Sequence, residues 1–328
     1  MESKEEFISI KDISEEDLDN YFCQDIELIE EDLRNNNKYK YTNYSIDLIK
    51  GIYYYKRKQI ENATEYFERE VELENAEACN YLGLLYEEGN KEKAKEYYER
   101  AIELGNIIAL INLGNLYYEE GNKEKAKEYY ERAGELGNVD ALYNLGVLYT
   151  QKGNIEKAKE YYERAGELGS NIAFYNLGYL YYREENKEKA KECYERAIEL
   201  GHITSLISLG FLYYEEGNRE KAKEYYERAG ELGSNIAFYN LGILYLYEGE
   251  VEKAIEYFKR AIELGNKKAL NKLKNIIRPN HYYGLGVKYN IISIGKFIEV
   301  MNSRDDEYDR LFYKVRNFRR YYDKFINV

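Results

Sequence analysis

The side chains in this sequence that could do chemistry are amides that recur at a fixed spacing. The asparagines Asn112, Asn144, Asn176 and Asn240 are separated by 32 residues or by twice that number. An amide is both a hydrogen-bond donor and an acceptor, so a row of amides can pair with successive C=O and N–H groups of an extended peptide. The spacing therefore indicates peptide binding. The alternative is that each amide only satisfies a neighbouring backbone group.

Tyrosines beside these asparagines would extend the same surface. The candidates are Tyr143, Tyr175, Tyr179 and Tyr239. A phenol ring offers apolar area with a polar tip, which suits the recognition of a partner. The chain has 40 tyrosines, so many of the other rings must serve packing.

Catalytic and metal-binding motifs are not evident in the sequence. The two histidines, His202 and His281, lie outside any nucleophile or metal-ligand pattern, and His202 falls in a turn, which favours a surface role. Three scattered cysteines, Cys23, Cys79 and Cys193, are too few for a disulfide framework or a zinc site. We therefore expect a protein that is not an enzyme and that has no cofactor and no metal.

The candidate residues are positioned by a repeat that fills most of the chain. A glycine recurs every 32 residues, with one deletion between the first two copies, at Gly83, Gly114, Gly146, Gly178, Gly210 and Gly242. Alanines recur in the same register, beginning at Ala94 and Ala101. A fixed period of this length indicates a stacked array of helical units.

One copy, residues 138–169, predicts a hairpin of two helices. Gly146 lies on the apolar face of the first helix, and because glycine costs about 1 kcal/mol in a helix interior, it indicates a closely packed neighbour. Gly153 is expected to end the first helix and Asn154 to cap the second. The second helix is expected to bury Ala158, Tyr161, Tyr162, Ala165 and Leu168.

The repeat resembles a known family. Residues 141–149 follow the pattern Ala-Leu-Tyr-Asn-Leu-Gly-x-Leu-Tyr, and Ala158, Tyr162 and Ala165 follow them. This pattern resembles the tetratricopeptide repeat, and the Glu-Leu-Gly-Asn-x-x-Ala junction is similar to that of Sel-one-like repeats. Gly169 stands where the family usually has proline, and the long inner loop of Sel-one-like repeats is missing. The resemblance implies that the four asparagines contact the backbone of a bound peptide.

The predicted fold is all-α: an α-solenoid of stacked antiparallel helical hairpins with a 32-residue period, wound into a right-handed superhelix. Its first helices line the concave surface. Residues 41–279 form the repeat array of about seven hairpins and a closing helix. Residues 1–40 form an acidic capping helix with a linker, and residues 280–328 form a basic, aromatic helical segment.

The C-terminal segment carries an apolar pattern of its own. Its apolar residues alternate three and four apart, at Tyr308, Leu311, Val315, Phe318, Tyr322 and Phe325. This spacing predicts a helix with one apolar stripe. Docking onto the last repeat is the favoured interpretation, and contact with a second copy or a partner is the alternative.

The excess of acidic residues makes some classes of partner unfavourable. The net charge is −13, from 61 acids and 48 bases, which argues against generic nucleic-acid binding. No leader and no long apolar run is evident, so we expect a cytoplasmic protein without a transmembrane segment. The predicted function is a non-catalytic scaffold that binds a protein or peptide in its concave groove. The alternatives are contact with nucleic acid or an anionic membrane through residues 280–328, or regulation of an enzyme in trans.

Two local hypotheses concern packing. Glu160 and Arg164 have the spacing of an i,i+4 ion pair, and equivalent pairs recur in the other units. Separately, three units have a glycine followed nine residues later by a tyrosine, namely Gly134–Tyr143, Gly166–Tyr175 and Gly230–Tyr239. The glycine is expected to compensate for volume across the repeat junction by making room for a bulky next helix; recent duplication is the competing explanation, since residues 163–178 and 227–242 are identical.

Overall fold

The computed structural model describes residues 45–277, which form fifteen helices and no strand. The predictions for residues 1–40 and 280–328 lie outside the described residues. The helices belong to two compact units, one ending at Leu168 and the other beginning at Gly169. Within each unit consecutive helices pack as hairpins, so the predicted all-α stack of helical hairpins is confirmed.

Unit 1 contains four hairpins. Its helices are α1 Ile46–Lys56, α2 Ile60–Glu72, α3 Ala76–Tyr86, α4 Lys91–Glu103, α5 Ile107–Glu119, α6 Lys123–Glu135, α7 Val139–Gln151 and α8 Ile155–Glu167. The first helix of each hairpin is odd-numbered and the second is even-numbered. From α3 onward these helices are almost all 13 residues long, which keeps the hairpins interchangeable in length.

Unit 2 contains three hairpins and a single last helix. Its helices are α9 Asn171–Arg183, α10 Lys187–Glu199, α11 Ile203–Glu215, α12 Arg219–Glu231, α13 Asn235–Tyr247, α14 Val251–Glu263 and α15 Lys267–Ile277. The last helix packs against α14 through Ala269, Leu273 and Ile276, which are buried in the same apolar cluster as Phe258.

Short turns with a repeated chemistry join the helices. Gly153 has φ +75°, a conformation that suits glycine and ends α7. Asn154 then caps α8, because its side-chain oxygen accepts a hydrogen bond from the backbone N–H of Lys157 at 3.2 Å. Asn138 caps α7 in the same way. The predicted helix ends in this copy are therefore confirmed.

The repeated glycine is the point where the two helices of a hairpin meet. A Cβ atom on Gly146 would lie 2.5 Å from the ring of Tyr162, which comes from α8 and is 4% exposed. No side chain fits at that distance, so glycine is required there. The same arrangement occurs for Gly83 with Tyr98 and, at the end of the array, for Gly242 with Phe258. The closely packed neighbour predicted from the glycine is confirmed.

Lys274 marks the end of the repeat register. It lies 32 residues after Gly242, in the place where the other first helices have glycine. A lysine Cβ in that place would collide with the ring that a further second helix contributes, because at Gly242 the ring of Phe258 comes within 2.6 Å of the Cβ position. The sequence of α15 is thus incompatible with another hairpin of the same kind.

Two expectations for the second helices are wrong. Leu168 is 53% exposed, because it is the C-cap residue of α8 and lies beyond the helical face that packs inward. Arg164 does not pair with Glu160 in the described residues; its guanidinium group lies 5.8 Å from the Tyr161 ring instead. A neighbouring tyrosine face offers arginine a cation–π contact that competes with an exposed ion pair of similar small energy.

The junction glycines Gly134 and Gly230 make room for the next helix, but the residue that each of them faces is not the tyrosine. A Cβ atom on Gly230 would lie 2.3 Å from the ring of Phe238, eight residues later, and Gly134 faces Leu142 at 3.0 Å in the same manner. Tyr239 points elsewhere, toward Phe258 with ring centroids 5.8 Å apart. The glycine therefore makes room at the junction between hairpins, but for the residue that precedes the tyrosine.

Candidate functional site

The first-helix face of unit 1 is a network of amides. We use "first-helix face" for the outward side of the odd-numbered helices that carries the predicted asparagines. The Asn112 side chain on α5 donates a hydrogen bond to the Asn80 side-chain oxygen on α3 at 2.9 Å. Asn80 is only 6% exposed, so this bond satisfies a buried acceptor. One predicted asparagine thus links two neighbouring first helices.

A second amide contact joins the next pair of helices. The Asn144 side chain on α7 donates to the Asn115 side-chain oxygen on α5 at 3.3 Å. The same oxygen accepts a hydrogen bond from the hydroxyl group of Tyr130 at 2.6 Å. Asn80 and Asn115 were missed from the sequence because neither lies two residues before a repeated glycine: Asn80 is three residues before Gly83, and Asn115 is one residue after Gly114. Their closeness to Gly83 and to Asn112 was the available signal.

Tyr98 and Glu87 form a hydrogen-bonded pair at the C-terminal end of α3. The Tyr98 hydroxyl group donates to a Glu87 carboxylate oxygen at 2.6 Å. Burial raises the pKa of the Glu87 carboxyl group above its usual range, and burial together with the neighbouring carboxylate raises the pKa of Tyr98. The ring that packs beneath the helix glycine is fully buried, and its hydroxyl group bonds from inside the hairpin to the C-cap residue of α3.

The first-helix face of unit 2 is aromatic. Tyr179 on α9 is 44% exposed and Phe211 on α11 is 41% exposed. Tyr182 joins them: its ring stands edge-on to Phe211 with centroids 6.2 Å apart, and its hydroxyl group bonds to Glu215 at 3.3 Å. Large rings held in fixed positions and open to solvent are typical of a recognition surface.

The other three predicted tyrosines are packed against second helices. Tyr143 lies 5.8 Å from the Tyr162 ring, and Tyr175 lies 5.8 Å from the Tyr194 ring. Tyr239 contacts Phe258, as described above. All three are half-buried. Each of these rings packs against the second helix of its own hairpin, and part of each ring remains accessible to solvent.

Asn176 and Asn240 are the predicted asparagines of unit 2. Both are half-exposed on the first-helix face, on α9 and α13. Asn176 lies one turn before the exposed Tyr179, so an amide and a phenol ring stand side by side on α9. On α9 an amide and a ring therefore share one face, whereas in unit 1 Asn112 and Asn144 bond to other amides.

His202 is not a simple surface residue. It occupies the N-cap position of α11, its Nδ1 atom lies 2.8 Å from the Ser205 hydroxyl oxygen, and its ring lies 4.7 Å from Tyr175. Burial lowers the pKa of the imidazole below its usual value of 6.5. The position makes His202 a packed turn residue that is sensitive to protonation.

Other kinds of site find little support in residues 45–277. Within that range no three His, Cys, Asp or Glu side chains are grouped so that they could hold a metal ion. Cys79 and Cys193 are buried, and neither forms a disulfide within residues 45–277. None of the described helices combines the length and the apolar character needed to cross a membrane.

Family comparisons agree with the repeat geometry. Tetratricopeptide-repeat models match residues 107–137, 139–167, 172–201, 203–232 and 236–265, and the Sel1-repeat model matches residues 76–106. The chain therefore belongs to the tetratricopeptide and Sel1 class of helical repeat proteins. Proteins of this class generally mediate protein–protein interactions. A search of the curated proteins finds no match.

Solved structures show the same fold. The antigen c5321 of uropathogenic Escherichia coli, described as an SLR fold, has a TM-score of 0.56 and 24% identity, over 83% of this chain and 63% of its own. A Sel1 repeat protein from Oxalobacter formigenes has a TM-score of 0.51 and 27% identity, over 66% of this chain and 97% of its own. Human IFIT1, solved as a dimer with PPP-AAAA, has a TM-score of 0.51 and 20% identity, over 89% of this chain and 76% of its own. This chain thus spans less than two thirds of c5321.

Proposed function

We propose that this protein is a non-catalytic scaffold that binds a peptide or protein segment on its first-helix faces. The observation that carries the proposal is the pair of exposed rings, Tyr179 and Phe211, on neighbouring first helices of unit 2. Aromatic anchors fixed by packing provide much of the free energy of protein recognition, and truncating one such residue can cost about 2 kcal/mol or more. Membership of a repeat class that mediates protein contacts supports the same function.

The amides supply the second element of the proposed site. Asn176 and Asn240 lie on α9 and α13 of unit 2, and Asn112 and Asn144 lie on the neighbouring first helices α5 and α7 of unit 1. Packed neighbouring helices lie roughly 10 Å apart. About three residues of an extended peptide span that distance at ~3.3 Å each. Amides at this interval can bond to the peptide backbone, while Tyr143, Tyr175, Tyr179 and Tyr239 contact its side chains.

The experiment is quantitative affinity capture with the full chain, followed by titration of a peptide from the captured partner. We expect Tyr179→Ala/Phe211→Ala to weaken peptide binding at least about tenfold, because two anchors are lost. Asn112→Ala/Asn144→Ala/Asn176→Ala should weaken it through lost backbone contacts. Circular dichroism first establishes that each variant is folded.

The matched control removes exposed apolar side chains elsewhere. Leu73→Ala/Leu136→Ala truncates two residues that are 73% and 60% exposed on turns of unit 1, away from the first-helix faces. This control should bind the peptide as the unmodified chain does. Equal binding by all the variants would refute the proposed site. Loss in the ring variant alone would restrict the site to unit 2.

A further inference from the structure

A second exposed surface lies on the turns that link one hairpin of unit 2 to the next. Each turn has the sequence Glu-Leu-Gly, and the leucines Leu200, Leu232 and Leu264 are 41%, 59% and 42% exposed. We call this surface the leucine edge; it consists of Glu199, Leu200, Glu231, Leu232, Glu263 and Leu264. The edge is separate from the first-helix face and is not used by the proposed function.

The leucine edge is rigid and acidic. The side chain of Asn235 donates to the backbone oxygen of Leu264 at 3.1 Å, and Asn171 donates to that of Leu200 at 3.1 Å. The three glutamates of the edge are exposed, and none of them forms an ion pair in the described part of the chain. The nearby Arg260 lies over the Phe238 ring at 4.1 Å. The edge thus presents one fixed leucine and one unpaired carboxylate in each hairpin.

The C-terminal segment of the same chain has the complementary chemistry. Residues 310–324 contain six bases and one acid. In a helix, the apolar stripe from Tyr308 to Phe325 is flanked by Lys314 on one side and Arg319 on the other. A basic amphipathic helix of this kind suits an acidic surface with apolar centres.

The apolar residues of the segment have a regular spacing. Leu311, Phe318 and Phe325 are seven residues apart, which is about 10.5 Å along a helix at 1.5 Å per residue. A helix over this segment would therefore carry these three side chains on one face, as a repeated series of apolar contacts.

We propose that residues 305–325 dock as a helix on the leucine edge of unit 2 in the same chain. The 27 residues from 278 to 304 could span at most about 90 Å when fully extended, which is ample for reaching three hairpins next to α15. Leu311, Phe318 and Phe325 contact the edge leucines. Lys314 and Arg319 pair with the edge glutamates.

The test places a photo-crosslinking amino acid in the full chain, as Phe318→p-benzoylphenylalanine, and maps the crosslinks by mass spectrometry. We expect a product of single-chain mass joined to the turns at residues 199–201, 231–233 or 263–265. Glu199→Lys/Glu231→Lys/Glu263→Lys should reduce its yield at least about tenfold, because attraction is replaced by like-charge repulsion. Adding Lys314→Glu/Arg319→Glu to that variant should restore the yield.

The matched control reverses the same charges in unit 1, as Glu103→Lys/Glu135→Lys/Glu167→Lys. These glutamates are equally exposed in the same Glu-Leu-Gly turns, so the control should leave the crosslink unchanged. Crosslinks to the first-helix face, a product of twice the chain mass, or no crosslink at all would each overturn the proposal. A yield that survives the triple reversal in unit 2 would overturn it as well.

Discussion

The two units share one packing scheme but differ on their first-helix faces. In unit 1 the face is a chain of amides, in which Asn112 and Asn144 donate to neighbours on the preceding first helix. In unit 2 the corresponding face exposes the rings of Tyr179 and Phe211. The glycine–tyrosine contact beneath the face is the same in both, as Gly146 and Gly210 show. Packing is thus fixed by the repeat, and recognition can vary from hairpin to hairpin.

The difference has an energetic meaning. Amides that bond to one another have already exchanged water for a protein partner, so they have less to gain from a ligand. Exposed rings retain their apolar area, which is worth about 25 cal/mol for each Å² removed from water. We therefore expect the exposed rings of unit 2 to contribute more binding free energy than the bonded amides of unit 1.

The largest expected effect is at the junction between hairpins. Gly230→Ile in unit 2 should destabilise the chain by up to about 3 kcal/mol, because the new side chain meets the Phe238 ring. Gly134→Ile in unit 1 should cost less, since Leu142 can shift. Thermal unfolding followed by circular dichroism compares the two variants.

A compensating change makes that prediction specific. Elsewhere in unit 2 the natural combination is Ile198 followed eight residues later by Leu206. Gly230→Ile/Phe238→Leu recreates this combination and should regain most of the lost stability. If the double variant unfolded at the same temperature as Gly230→Ile, volume matching would be wrong and duplication alone would explain the pattern.

A smaller effect distinguishes the bonded amides of unit 1 from Asn240 in unit 2. Asn112→Leu leaves the buried oxygen of Asn80 without its donor, which should cost about 1–3 kcal/mol. Replacing both residues, as Asn80→Leu/Asn112→Leu, removes the unsatisfied group and should be nearly neutral. The control in unit 2 is Asn240→Leu, which should change stability by less. Urea titrations measure all three, and equal losses would contradict the structural role of the unit 1 amides.

The smallest effect concerns His202. Its pKa in the folded protein is lowered by burial, so the unfolded chain binds a proton more readily. The contribution of a neutral His202 is therefore fully present above about pH 6.5 and is lost as the pH falls through the window below that value. His202→Asn should remove this acid sensitivity. The substitution should also raise the free energy of unfolding by about 1 kcal/mol, because an asparagine there can cap α11. Asn266 at the equivalent turn caps α15 in this way, by accepting a hydrogen bond from the backbone N–H of Ala269.

The check is a series of thermal melts between pH 5 and pH 8. The difference in melting temperature between His202→Asn and the unmodified chain should be larger at the acid end. A difference that is constant across the series would show that protonation of His202 does not affect stability.

Periodicity was sufficient to predict which helices form and where they end. Gly146, Gly153 and Asn154 each follow from local geometry, so their roles are visible in the sequence. Contacts between hairpins are harder to predict from the sequence. A turn separates the two contacting residues, and a shift of one residue along the helix brings a different side chain into contact. That is why Tyr239 was chosen in place of Phe238, and why Leu168 was expected to be buried.

In the candidate site, too, the sequence predicts positions within a helix but not the contacts between helices. The 32-residue spacing predicts where Asn112 and Asn144 lie, but their bonds to Asn80 and Asn115 depend on how neighbouring first helices approach each other. The exposure of Phe211 was also not evident, because a phenylalanine between two leucines is ordinarily expected to be buried. Sequence periodicity identifies the face of a helix, and only packing decides which side chains on it remain free.

The meeting of glycine and ring has a consequence for how this chain can change length. In each of the seven hairpins that the structure describes, the first helix presents the same glycine to a ring of the second helix, so any hairpin can follow another with the same packing. Residues 163–178 and 227–242 are identical and both end at that glycine. A chain in which residue 178 is followed directly by residue 243 would lack 64 residues, which is two whole hairpins. Its sequence around the new junction would be the same as the natural sequence around residue 242. The number of hairpins in this protein can therefore change by whole repeats during evolution. Lys274 prevents α15 from beginning a further hairpin of the same kind.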